Sequence, residues 1–198
     1  MVMEGNLRSI SLSDVERARE DLDFIEPFVR RELPRELLER KLGSGKNLPA
    51  EVRAHYEDLL RGPPPGLELK PRLDLHKAWH GIHYLLTGEP WGGAPPLSCA
   101  VLGAEGQNVG VDQGYGAPSY LMPAQVRTVA AALAEVGLGE LRRRYDPAKM
   151  TELEIYPSGI WLHKNEDNFD WLMQFYEPLP GFYASAPPSG SGMLVWIA

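Results

Sequence analysis

The chain has a single cysteine, Cys99, in 198 residues, and that scarcity removes an internal disulfide from the means of holding it together. It also lacks an excess of positive charge: 27 acidic against 20 basic residues give a formal net charge of −7. Binding to nucleic acid or to an anionic membrane surface needs a basic footprint, so neither is expected. Long apolar runs are missing too. The longest uncharged stretch, Pro178 to Ala198, contains four prolines and three glycines and cannot form a spanning helix. Met1 to Ile10 has no basic segment followed by an apolar one, so no secretory leader is read there and the cytoplasm is the expected compartment.

Two glycine-rich stretches imitate nucleotide motifs without completing them. Gly43 to Asn47 reads GSGKN, but a phosphate loop needs a further Gly where Arg40 stands and a Ser or Thr where Asn47 stands. Gly114-Tyr115-Gly116 runs into Pro118 and Ser119 instead of opening a helix, which excludes a dinucleotide fingerprint. No cofactor is expected on either count.

What is present is a patterned chain. An apolar content of 43% suffices for one core. The pattern predicts a single α+β domain over 1–198, a small mixed or antiparallel sheet packed against several helices. A helical subdomain over 12–62, with a Pro-rich crossing at 63–66, is a further division within it. Asn6 to Ile10 and Met193 to Ile197 read as strands, the second an interior one. Leu97 to Leu102 reads as a buried strand carrying the Cys99 thiol. Val109 to Val111 and Ser119 to Met122 read as a hairpin. Helices are expected to start near Ser13, Asp23, Pro34, Pro49, Pro123 and Gly139.

The most informative stretch is Leu73 to Gly88, LDLHKAWHGIHYLLTG. At 100° per residue Leu75, Ala78, Trp79, Ile82, Leu85 and Leu86 share one face, which predicts a central helix with Asp74 as N-cap and Gly88 just past its end. Gly81 in its interior points to a close crossing. On that helix His76, His80 and His83 would project from one arc, and two imidazoles four residues apart can share a metal ion. Lys77 follows His76 where a zinc protease helix has its general-base Glu. The simplest reading keeps the histidines structural. Arg142, Arg143 and Arg144 could clamp an anion, but around a helix they diverge, which favours a solvated surface. Glu166 and Asp170 could act as paired carboxylates, yet they equally suit the acidic first turn of a helix.

The segments LDLHKAWHGIHYLLTG, DQGYGAPSYL, LRRRYDPAKM and the closing MLVWI, in this order, together resemble the YfbM-like family of uncharacterised bacterial proteins. The resemblance implies an α+β fold and brings no activity, cofactor or catalytic residue with it. His76 stands where that family usually has an acidic residue, and Met122 where it commonly has Thr.

Three functional readings follow. The leading one is a non-catalytic binding protein whose acidic surface masks a basic protein partner, as an antidote or small regulatory factor. The second is an enzyme or small-molecule sensor with a pocket between the central helix and the glycine-rich hairpin. There Trp79, His80, His83, Asp112 and Tyr115 are the candidate contacts, with His80 or His83 as acid-base group, Asp112 as its orienting carboxylate and Tyr115 as a wall. The third is a zinc protein built on His76, His80 and a carboxylate from elsewhere.

Overall fold

The computed structural model describes residues 2–30, 32–44, 48–162, 168–186 and 190–198. Its sheet has four strands, β1 (Gly5–Ile10), β2 (Arg72–His76), β3 (Ser119–Leu121) and β4 (Gly192–Ile197). They lie in the order β2-β1-β4-β3, and every neighbouring pair is antiparallel. MLVWI is therefore an interior strand, as its β-branched and aromatic composition predicts. Alternation along β4 divides its side chains between two faces. Met193 and Val195 join Leu7 in the main core, while Leu194 and Trp196, also buried, point the other way.

The chain divides into two compact units, one made of Met1–Ile25 with Lys70–Ala198 and the other of Glu26–Leu69. In the first, α1 (Leu12–Glu20) starts at Ser11, whose hydroxyl accepts the Asp14 N–H at 3.1 Å. In the second, α2 (Glu26–Val29) precedes α3 (Arg35–Gly43) and α4 (Ala50–Arg61), each of the latter two entered through a proline. Pro63 to Gly66 lies within that second unit, and positions 45–47 of the GSGKN stretch fall outside the described residues.

The remaining helices belong to the first unit. They are α5 (Trp79–Thr87), α6 (Cys99–Leu102), α7 (Pro123–Glu135), α8 (Leu138–Arg144), α9 (Pro147–Glu152), α10 (Asn168–Tyr176) and α11 (Pro178–Ser185). None of the described helices is long and apolar enough to cross a membrane. The fold is α+β.

Two sequence expectations are corrected. The central helix begins at Trp79 and not at Leu73, because Arg72 to His76 is strand β2 paired with β1. Asp74 is no N-cap; its carboxylate accepts the His76 N–H at 2.7 Å, and His76 turns the chain with φ +50°. Leu73 and Leu75 alternate with polar neighbours, a period-2 pattern that a helical wheel partly absorbs. Likewise LSCAVL is not a strand. Its second half is the short helix α6, ended by Gly103 at φ +75°, with Cys99 half-buried.

From Trp79 to Leu86 every residue of α5 is buried, so this helix is enclosed on all sides, and packs on α6, α8 and α10. Gly88 closes it in the left-handed region, with its N–H on the Tyr84 carbonyl. The close crossing at Gly81 is real but involves side chains: a Cβ there would lie 2.6 Å from Leu172 Cδ2 and 3.1 Å from Trp161. The three arginines of α8 separate as their spacing requires. Arg144 donates to the Leu85 and Leu86 carbonyls at 3.0 and 2.7 Å, satisfying the C-terminal end of α5, and Arg142 lies 4.7 Å over the Phe169 ring.

Candidate functional site

With His76 in β2, the helical arc of three histidines does not exist. His76 is half-exposed, its Nε2 3.6 Å from a Glu4 carboxylate oxygen and its ring stacked on Phe175. Among the described residues no group of three His, Cys, Asp or Glu side chains could hold a metal ion. The premise that paired His76 with His80 is thus removed by the strand. Glu166, one of the two paired carboxylates, lies outside the described residues.

His80 is held at both ends of its ring. Nδ1 accepts the Tyr156 N–H at 2.9 Å and Nε2 lies 2.7 Å from the Pro90 carbonyl, so the proton sits on Nε2 and is donated there. Its ring stacks on Trp79 at 4.7 Å and meets Trp91 at 4.6 Å. Burial pushes its pKa below the ordinary imidazole value, against the opposing effect of the Pro90 hydrogen bond. His83 is fully buried, and burial together with the neighbouring His80 brings its pKa down to about 4. The Gly92 backbone faces the His83 ring, but neither ring nitrogen completes a hydrogen bond of normal geometry among the described residues. Both imidazoles are neutral near pH 7, and His80 fastens the 90–92 loop to the helix.

That loop forms one wall of a cavity of about 580 Å³. Its floor is α6 with Gly103, where a Cβ would collide with the Ser119 side chain. The buried Ser119 hydroxyl both accepts the Ala104 N–H and donates to the Ala104 carbonyl, each at 3.0 Å, and so ties the floor to β3. The opposite wall is the 115–117 segment. Asp112 positions it by accepting the N–H groups of Gly114 and Gly116 at 2.6 and 2.9 Å, an Asx-type turn that presents Tyr115. Asp112 therefore spends its carboxylate on its own loop and makes no hydrogen bond to either imidazole.

The back of the cavity is the end of β4. Glu4 and Ala198 exchange both backbone hydrogen bonds, so by alternation Trp196 and Leu194 address β1 while Met193, Val195 and Ile197 address the β3 side. Leu121 and Ser119 pair with Met193 and Val195. β3 begins at Ser119, and among the described residues Ile197 has no strand partner on that side. Its N–H and C=O face the gap left where the chain before Ser119 parts from β4. Trp196 also lines the gap, and its buried indole N–H has no hydrogen-bond partner among the described residues. At the mouth stand Trp91, 60% exposed, and Tyr115, 37% exposed.

Of the residues singled out from sequence, Tyr115 lines this cavity, whereas Trp79, His80, His83 and Asp112 do not. Trp79 and His80 lie one layer behind it under Trp91, and Asp112 sits behind Tyr115. Sequence reasoning missed Trp91, Trp196, Glu105 and Ile197. Only Trp91 carried a legible signal, an aromatic residue set among glycines and prolines in a loop, where aromatic anchors of interfaces are often found.

The model of a domain of unknown function (DUF1877) matches residues 1–196. No curated protein matches the chain. Among solved structures, the crystal structure of YfbM from Escherichia coli, a protein of unknown function, is similar with a TM-score of 0.64 at 23% identity. That likeness covers 98% of this chain and 99% of the other and extends to the fold alone.

Proposed function

The chain belongs to the family described as a domain of unknown function (DUF1877), whose description names no activity, and from the chemistry of the cavity we propose a non-catalytic protein that recognises a segment of another protein. One observation carries this reading. A single cavity joins a strand position open on one side, Ile197, and two exposed aromatic rings, Trp91 and Tyr115. A main-chain donor and acceptor left open at a strand end suit an extended peptide, which supplies the complementary pair. Exposed aromatics supply contact area at low entropic cost.

Acid–base chemistry has little support in the same place. His80 has both nitrogens engaged, and His83 is sealed from solvent. Cys99 lines the cavity, but none of the described lining residues is a His, Lys or Arg that could activate its thiol. The net charge of −7 favours a basic partner, the relation by which small acidic antidotes and regulatory factors mask their targets.

Selection of a random displayed-peptide library on the purified protein tests this reading. Enriched peptides are expected to lose binding to the Trp91→Ala and Tyr115→Ala variants. Failure to enrich any peptide, or enrichment of peptides indifferent to both substitutions, would remove the cavity as a recognition site.

A further inference from the structure

The charge of the cavity says what kind of side chain it takes. Among the described lining residues Glu105 is the only one of the Asp, Glu, Lys and Arg class, and no histidine joins it. Glu105 is exposed and makes no ion pair with a described residue. The other residues that bound the space are aromatic, aliphatic or neutral, with the exposed Trp91 and Tyr115 supplying the ring surface. An anionic group would enter a site with no compensating cation and one like charge. A neutral apolar group would fill the space but gain nothing from the carboxylate at its rim. An ammonium group satisfies both features, since aromatic faces attract cations through the ring quadrupole and a carboxylate at the rim completes the charge pairing.

Resting on the peptide-recognition reading above, we infer that the cavity beneath Trp91 and Tyr115 receives a lysine side chain of the bound segment, with its ammonium group attracted to the aromatic walls and to Glu105. The segment's main chain pairs with the N–H and C=O of Ile197. A lysine stem can lie along the apolar lining and keep its charge at the mouth, beside the two rings and Glu105, and methylation of the amine would keep the charge while spreading it over more apolar surface. No covalent step is involved.

The test uses the full chain and four peptides on one neutral scaffold, acetyl-Gly-Gly-Xaa-Gly-Gly-amide, with Xaa as lysine, trimethyllysine, acetyllysine or norleucine. Binding is followed by isothermal titration calorimetry, which needs no reporter side chain. The lysine and trimethyllysine peptides are expected to bind about 2- to 30-fold more tightly than the norleucine and acetyllysine peptides, the range of a cation over an aromatic face. Glu105→Gln should erase part of that difference, and Trp91→Ala should erase most of it. Because the peptide series leaves the protein unaltered, a folding defect in either variant cannot mimic the result. Equal binding of norleucine and lysine overturns the inference and leaves peptide recognition standing. Absence of binding by all four overturns it as well, and the library selection then decides separately whether the cavity recognises peptides at all.

Discussion

At the scale of single residues, His80 is the side chain that joins the core to the loop walling the cavity. Its two hydrogen bonds, to Tyr156 N–H and the Pro90 carbonyl, hold three segments in one arrangement and set the ring against which Trp91 rests. His80→Ala leaves two backbone groups unsatisfied and a gap beside Trp79. Chemical denaturation is expected to show a loss of about 2–4 kcal/mol. Both central imidazoles also link stability to pH. Their folded pKa values are depressed by burial, whereas unfolded histidine titrates near 6.5, so the unfolded chain takes up these protons first. The neutral-histidine contribution is complete above pH 6.5 and is lost as pH falls through the window down to about 4, where His83 titrates in the folded protein. For His83 the loss is on the order of 3 kcal/mol. A denaturation series between pH 7 and pH 4 should show stability falling across this window, and His83→Phe should flatten the fall if the ring fits. A profile that stays level down to pH 4 would contradict the burial argument.

Secondary-structure elements show how much of this arrangement the residues announce. The end of α5 at Gly88, the entry of α7 at Pro123 and the interior strand MLVWI were legible, because a C-terminal glycine, an N-terminal proline and a β-branched run each have a local physical cause. The start of α5 was not. Leu75 and Ala78 fit a helical stripe as well as Leu73 and Leu75 fit a strand, and what decides is pairing with β1, which no local pattern encodes. LSCAVL failed for a related reason, since a six-residue apolar run fits a strand or a buried turn of helix equally.

Close packing of elements yields a prediction too. Gly81→Ala gains helix propensity but drives a methyl group into Leu172, and overpacking outweighs the gain, for a net cost of about 1–2 kcal/mol in thermal unfolding. Adding Leu172→Ala should then make Gly81→Ala stabilising relative to Leu172→Ala alone, a sign reversal that a double-mutant cycle reads directly. In the 112–116 turn the balance is different. Asp112→Ala removes two hydrogen bonds from an exposed loop, so stability should change by less than about 1 kcal/mol, while peptide binding through Tyr115 weakens.

On the scale of the whole molecule, the cavity exists because of long-range pairing. β3 joins β4 for three residues and begins at Ser119, and the open position at Ile197 is the consequence. Nothing in MLVWI distinguishes a residue with partners on both sides from one with an open side, which is why Ile197 was invisible in the sequence while Tyr115, flagged by its two glycines, was not. The acidity of the chain belongs to this scale as well. With a formal charge of −7, association with a basic partner should slow as ionic strength rises, because screening shortens the reach of the field to about 8 Å near physiological salt.

The central claim, that the gap at the end of β4 is where a peptide is recognised, is tested most directly by a two-dimensional ¹H–¹⁵N spectrum recorded while the lysine or a library-selected peptide is added. The Ile197 amide and Trp91 indole signals are expected to move first and together, followed by the glycines around Tyr115. Peptide binding that leaves Ile197 and Trp91 unmoved and shifts signals elsewhere would contradict this reading.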